Sequence, residues 1–171
     1  MFAFVVLFSG TGCKEKPPVI IPQTKPKVLS NEIQGVWPPA STAKVTAYRF
    51  RTPNDVRNGT YSLLEGGKVD LGTLQECTEA SAELTDEQTA RLLHCTIGDH
   101  PRSGPSVCYE PHHLFLFRDG AGEITHAIEV CFTCQGVTTI PSLEVPDCHD
   151  LRGMERLCEE TGVGLAEGTA D

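Results

Sequence analysis

The chain has 171 residues, with fourteen basic against twenty-three acidic side chains, a formal charge of −9 and a pI near 5.1. That balance excludes nucleic-acid binding, which needs a cationic face for the phosphates. The length suits one domain able to bury its own core without a metal, and eight cysteines read as two or three disulfides in an oxidising compartment.

Met1 to Gly12 (MFAFVVLFSGTG) is an apolar run closed by small residues; Cys13 follows, and Lys14 to Lys27 is charged and proline-rich. A bacterial lipoprotein begins in that order. Residues 1–12 read as a signal peptide, Cys13 as the lipidated residue, and residues 13–42 as a lipid-anchored, proline-rich tether and lead-in. The run from Phe2 to Phe8 is too short to span a bilayer, which takes roughly 20 apolar residues. The signal departs from the lipoprotein pattern at two points: no Lys or Arg precedes Lys14, and Gly10 stands where a lipobox carries leucine. The expected address is the bacterial cell envelope, on the outer side of a membrane, with the lipid as the membrane contact. Pro17, Pro18, Pro22 and Pro26 favour a semi-rigid polyproline II spacer. Trp37, the only tryptophan, is expected at the edge of the domain.

Residues 43–163 carry the signals of an α+β domain, and residues 164–171 read as a flexible tail. Lys44 to Arg51 (KVTAYRFR) alternates as a strand does. Thr60 to Leu64 and Lys68 to Leu71 flank Glu65-Gly66-Gly67, as in a hairpin; Asn58-Gly59-Thr60 matches a glycosylation sequon. Thr85 with Gln88 three residues on forms a capping-box pattern, Asp86 and Glu87 suit a first helical turn, and Gly98 stops the helix. His112 to Arg118 (HHLFLFR) and Glu123 to Phe132 (EITHAIEVCF) are strands joined by Asp119-Gly120-Ala121-Gly122. Gln135 to Asp147 reads as a loop, and a last helix runs from about Asp150 to Thr161, ended by Gly162. The order β-β-α-β-β-α predicts one antiparallel sheet of about four strands, covered on one face by two helices and stapled by disulfides.

A hairpin centred on Gly120-Ala121 pairs His113 with Ile128, Phe115 with His126 and Phe117 with Ile124, placing Phe115, Phe117, Ile124, Ile128 and Val130 on the buried face. His126 shares that face and reads as a satisfied core imidazole. The opposite face carries His112, Leu114, Leu116 and Glu129, with His112 and Glu129 as a surface pair. Extended backwards, the register brings Cys108 towards Cys131 and Cys134.

Such a cluster has several chemistries. A Cys108 disulfide to Cys131 or Cys134 would close the open end of the hairpin. Cys131 and Cys134 with Cys108 and His112 or His113 would suit tetrahedral zinc, or copper, although no second Cys-x-x-Cys or His-x-x-x-His pair accompanies them. Cys131-x-x-Cys134 is also a redox spacing, but it ends a strand rather than opening a helix. A Cys108–His hydrolase needs a geometry that sequence neighbours seldom supply, and haem attachment is excluded by Gln135 in place of histidine. Cys77 and Cys95 flank the first helix and Cys148 and Cys158 the last; each pair is a candidate staple, and Cys158 suits a buried thiol equally well. With Cys13 lipidated, an odd seven cysteines remain, so they cannot all pair among themselves.

The stretch Cys108-Tyr-Glu-Pro-His-His, then Leu-Phe-Leu-Phe, a hairpin and Cys131-Phe-Thr-Cys134 resembles a group of uncharacterised bacterial exported proteins and lipoproteins. The likeness covers roughly residues 44–160, and Cys131-Phe-Thr-Cys134 is its specific part. It implies the fold and the compartment and assigns no reaction. The expected function is therefore non-catalytic, structural or binding, without a cofactor. Its partners are an envelope protein or a small ligand of basic or neutral character. The rival reading is metal or thiol-redox work at Cys108, Cys131 and Cys134.

Overall fold

The computed structural model describes residues 32–53, 61–101, 108–143 and 148–166. The signal segment, Cys13, the prolines of the tether and the Asn58 sequon lie outside these residues.

The domain is α+β, built on a five-stranded antiparallel sheet. Its strands are β1 (Lys44–Phe50), β4 (Thr78–Glu83), β5 (His113–Arg118), β6 (Ile124–Cys131) and β7 (Gly136–Ile140), in the order β4-β1-β5-β6-β7. Two-residue strands β2 (Leu64–Glu65) and β3 (Lys68–Val69) form a separate hairpin turned by Gly66 and Gly67, both at positive φ. The helices are α1 (Leu71–Cys77), α2 (Asp86–Ile97) and α3 (Leu151–Glu160).

The sheet is covered on both faces, not on one. On the first, Val45, Ala47, Phe115, Phe117, Ile128 and Val130 pack with Leu92 and Cys95 of α2 and Met154, Leu157 and Cys158 of α3. On the second, Phe50, Leu114, Leu116 and Ala127 pack with Leu63, Leu64 and Val69 around the small hairpin and with Leu74 and Cys77 of α1. The reason is legible in β5: His113 to Phe117 are all buried, and a run such as LFLF can be satisfied only between two layers. The third layer comes from α1, which the sequence pattern left out, and from the expected hairpin at Gly66-Gly67, which stands apart from the main sheet. Asp70, fully buried, caps α1 by accepting from Thr73 N at 3.0 Å and from its hydroxyl at 2.7 Å.

Further corrections concern count and register. β4 and β7 bring the sheet to five strands; β7 occupies the first part of the segment read as a loop. In the β5–β6 hairpin, His113 pairs with Val130, Phe115 with Ile128 and Phe117 with His126. That is two residues from the predicted register, so Phe115, Phe117, Ile128 and Val130 keep their predicted face, while Ile124, beyond the irregularity, packs with Leu114 and Leu116 on the opposite one. The slip is absorbed at the turn, where Asp119 Oδ1 accepts from Ala121 N and Glu123 N and the pairing shifts between Phe117 and Arg118. α2 keeps its predicted bounds, with both hydrogen bonds of the Thr85/Gln88 capping box formed. α3 lies within its predicted range, capped by Asp150.

The lead-in and the tail are both held. Ile33 is buried and donates its N–H to Gly67 O at 2.7 Å, so the packed domain includes part of the predicted tether. Val163 is buried, Gly164 O accepts from His113 Nε2 at 3.0 Å, and Leu165 O accepts from Arg49 Nη1 at 3.2 Å. The first residues of the predicted flexible tail are thus a strap across β1 and β5. At the sheet rim, β4 exposes Glu79 and Glu83, which pair with Arg49 and Lys44 of β1 at 3.4 Å and 2.6 Å.

Candidate functional site

Three places on the domain concentrate chemistry. The first is the mouth of the β5–β6 hairpin, where the sequence cluster falls. Cys108 and Cys134 form a disulfide with Cα atoms 5.5 Å apart, one of the two pairings expected there. Cys131 lies within the same cluster, and its Sγ accepts from Cys134 N at 3.2 Å. Cys77, Cys95, Cys131, Cys148 and Cys158 carry thiols, so the staples Cys77–Cys95 and Cys148–Cys158 are not formed. Burial raises the Cys158 thiol to about 12 and, with Asp150 adding to it, also raises Cys95, which makes both unreactive packing groups.

In this structure the residues of the metal reading are engaged with one another or with the backbone. Cys108 and Cys134 are bonded to each other, His112 Nδ1 donates to Phe50 O at 3.1 Å, and His113 Nε2 donates to Gly164 O. Among the described residues no group of three or more His, Cys, Asp or Glu side chains is placed to hold a metal ion. His113 is buried against Phe132, and burial pushes its imidazole down to about 4, outweighing the Gly164 hydrogen bond. The ring is neutral, with Nδ1 enclosed and without a hydrogen-bond partner among the described residues.

The second place is a buried carboxylate. Glu129 is fully buried rather than paired with His112 at the surface. Its Oε1 accepts from Leu63 N at 2.6 Å, and its Oε2 from Ser62 Oγ at 2.6 Å and Tyr109 OH at 3.0 Å. Burial, reinforced by the Glu129 charge, holds the Tyr109 phenol far above its usual range, so it serves as a donor. Glu129 thus ties β6 to the segment before β2 and to the residue next to Cys108. A lone Glu in the strand THAIEVC gives no sign of this, because its partners come from segments far off in sequence.

The third place is a cleft of about 620 Å³ at the C-terminal end of α2. Lead-in residues Val36 and Trp37 form one wall, Ile97, Asp99 and His100 a second, and Ser142, Leu143 and Cys148 a third. Trp37 is fixed by an Nε1–H bond to Pro141 O at 2.6 Å and by edge contacts with His126 and Phe117, at centroid distances of 4.6 and 5.6 Å. His126 donates from Nε2 to Val36 O at 3.0 Å, and burial lowers its imidazole, which keeps it neutral. Gly98 is required at the turn: a Cβ there would meet His94 O at 2.4 Å and His100 Nε2 at 2.7 Å. His100 Nε2 donates to that same carbonyl at 2.7 Å, and His149 Nδ1 to Thr96 O at 2.8 Å, which seats both loops against α2. The cleft's apolar walls are open: Val36 is 77% and Ile97 37% exposed. Sequence reasoning found Trp37 but not the cleft, which no local motif encodes.

No protein-family model matches the chain, and no curated protein or solved structure matches it. No helix of the described residues is long and apolar enough to cross a membrane.

Proposed function

We propose that the chain is an exported protein of the bacterial cell envelope, lipid-anchored through Cys13 on the outer side of a membrane, whose domain binds a small ligand without transforming it. The observation that carries the binding reading is the cleft beside Trp37. Its size suits a small molecule, and its walls combine apolar surface with Ser142, Asp99 and His100 as orienting polar groups. A large aliphatic side chain as exposed as Val36, beside Ile97 and an indole edge, favours a ligand with an apolar body. The Cys108–Cys134 disulfide supports an oxidising compartment. The net charge of −9 favours cationic or neutral ligands and partners over polyanions. The likeness of Cys131-Phe-Thr-Cys134 to exported bacterial lipoproteins supports the address and is silent on the ligand.

Because Trp37 is the only tryptophan, emission excited selectively in tryptophan reports on this cleft. The test titrates the domain with the neutral apolar dye N-phenyl-1-naphthylamine and follows quenching of Trp37. Saturable quenching that disappears in Val36→Asp and Ile97→Asp, with unchanged melting temperature, supports the reading. Non-saturable quenching, or equal binding by both variants, refutes it. The anchor is tested separately: Cys13→Ser should move the protein from the membrane to the soluble envelope fraction.

A further inference from the structure

Three cysteines gather where β5 begins and β6 ends, and two of them are bonded to each other. Cys108 lies on the exposed side of the disulfide, while Cys134 is buried. Cys131, three residues before Cys134, keeps its thiol and is 1% exposed. Its Sγ sits 3.2 Å from the backbone nitrogen of Cys134. The tight turn after β6 creates this approach: Gln135 N donates to Phe132 O at 3.2 Å, and Gln135 holds a φ of 53° that few non-glycine residues adopt. A thiol shielded from solvent is thereby held against the residue whose sulfur is already oxidised, and the far end of that disulfide faces water.

We propose that Cys108, Cys131 and Cys134 form a thiol–disulfide exchange site, in which buried Cys131 releases Cys108 as an exposed thiolate that reacts with a disulfide substrate. The Cys131 thiolate attacks Cys134 Sγ. The Cys131–Cys134 bond forms, the Cys108–Cys134 bond breaks, and the electron pair leaves on Cys108 Sγ. The proton given up by Cys131 passes to water, and the count of disulfides is unchanged, so no outside oxidant or reductant is consumed. The Cys108 thiolate then attacks a disulfide R–S–S–R, forming Cys108–S–S–R and expelling R–S⁻. Tyr109, next in the chain to Cys108, donates its hydroxyl to Glu129 Oε2 at 3.0 Å and ties this segment to β6. The site stands on the sulfur geometry and is independent of the Trp37 cleft.

The test incubates the oxidised full chain, without reductant, with 5,5′-dithiobis(2-nitrobenzoic acid), an aromatic disulfide, and locates the label by peptide mass mapping. The expected product carries the label on Cys108, with Cys131 and Cys134 linked within one peptide. In Cys131→Ser and in Cys131→Ala the bond cannot be opened from within, and labelling of Cys108 falls by at least about tenfold. Half-exposed Cys148 labels alike in all three proteins and serves as the internal control. Circular dichroism shows whether each variant is folded, and a folded one is decisive. Labelling of Cys108 at the same rate in a folded variant, or an unlabelled Cys108 in the wild type, overturns the proposal.

Discussion

Acidification should destabilise this domain through one histidine, and the size of the effect follows from burial. His113 is enclosed between Phe132 and the strap at Gly164, with Arg49 and His112 as basic neighbours. Folded, its imidazole stays neutral down to about 4. Unfolded, it takes a proton near the ordinary value of about 6.5. Between those values the unfolded chain binds more protons, so the stability present above the upper value is lost as pH falls toward the lower one. The full difference is worth about 3 kcal/mol, of which about 2 kcal/mol is gone by about pH 5. His126, also lowered by burial, adds a loss of the same sign. The His113 share is isolated by His113→Gln, whose amide can still donate to Gly164 O. Urea unfolding followed by circular dichroism at about pH 7 and about pH 5 should show the wild type losing about 2 kcal/mol more than the variant. Equal losses in the two proteins would refute the assignment of a buried neutral imidazole.

Other consequences are equally direct. Glu129→Leu strands the donors of Ser62, Leu63 and Tyr109 and should cost about 3 kcal/mol or more by urea titration, against about 1–2 kcal/mol for Glu129→Gln. Cys134→Ser opens a covalent loop with a sequence separation of 26 and should cost about 3.5 kcal/mol, read as a lower midpoint that added reductant no longer shifts. Gly153→Ala places a Cβ 2.5 Å from both Cys95 Sγ and Asp150 Oδ2 where α3 meets α2, and should cost about 1–3 kcal/mol in thermal unfolding.

What the sequence disclosed depended on how local each signal was. The α2 cap needs only Thr85 and Gln88, and the β5–β6 hairpin only its alternation and its Asp-Gly turn, so both were readable. β4 was not, because TEASAE is made of residues that seldom favour strands. It forms because β1 otherwise leaves its outer backbone groups unpaired, and Ala80 and Ala82 fit against Arg49 and Ala47 across the ladder. α1 escaped notice because it is one short segment, LGTLQEC, whose cap Asp70 sits directly after a strand pattern. The disulfide cluster was legible as a neighbourhood and not as a pairing, since a register error of two residues is comparable with the three that separate Cys131 from Cys134. The cleft at Trp37 and the Glu129 cage draw on distant segments and left no pattern to read. The second face of the sheet was legible in principle: Leu114 and Leu116 in LFLF are the residues of a strand buried on both sides.

The two rims of the sheet are chemically unlike. β4 turns Glu79 and Glu83 outward at alternate positions among alanine and serine, a poor template for another strand. β7, at the other rim, reads GVTTI: uncharged, β-branched and without proline. Any lengthening of the sheet by a visiting strand, from another molecule or from a second copy of the chain, is therefore disfavoured beside β4 and least opposed beside β7.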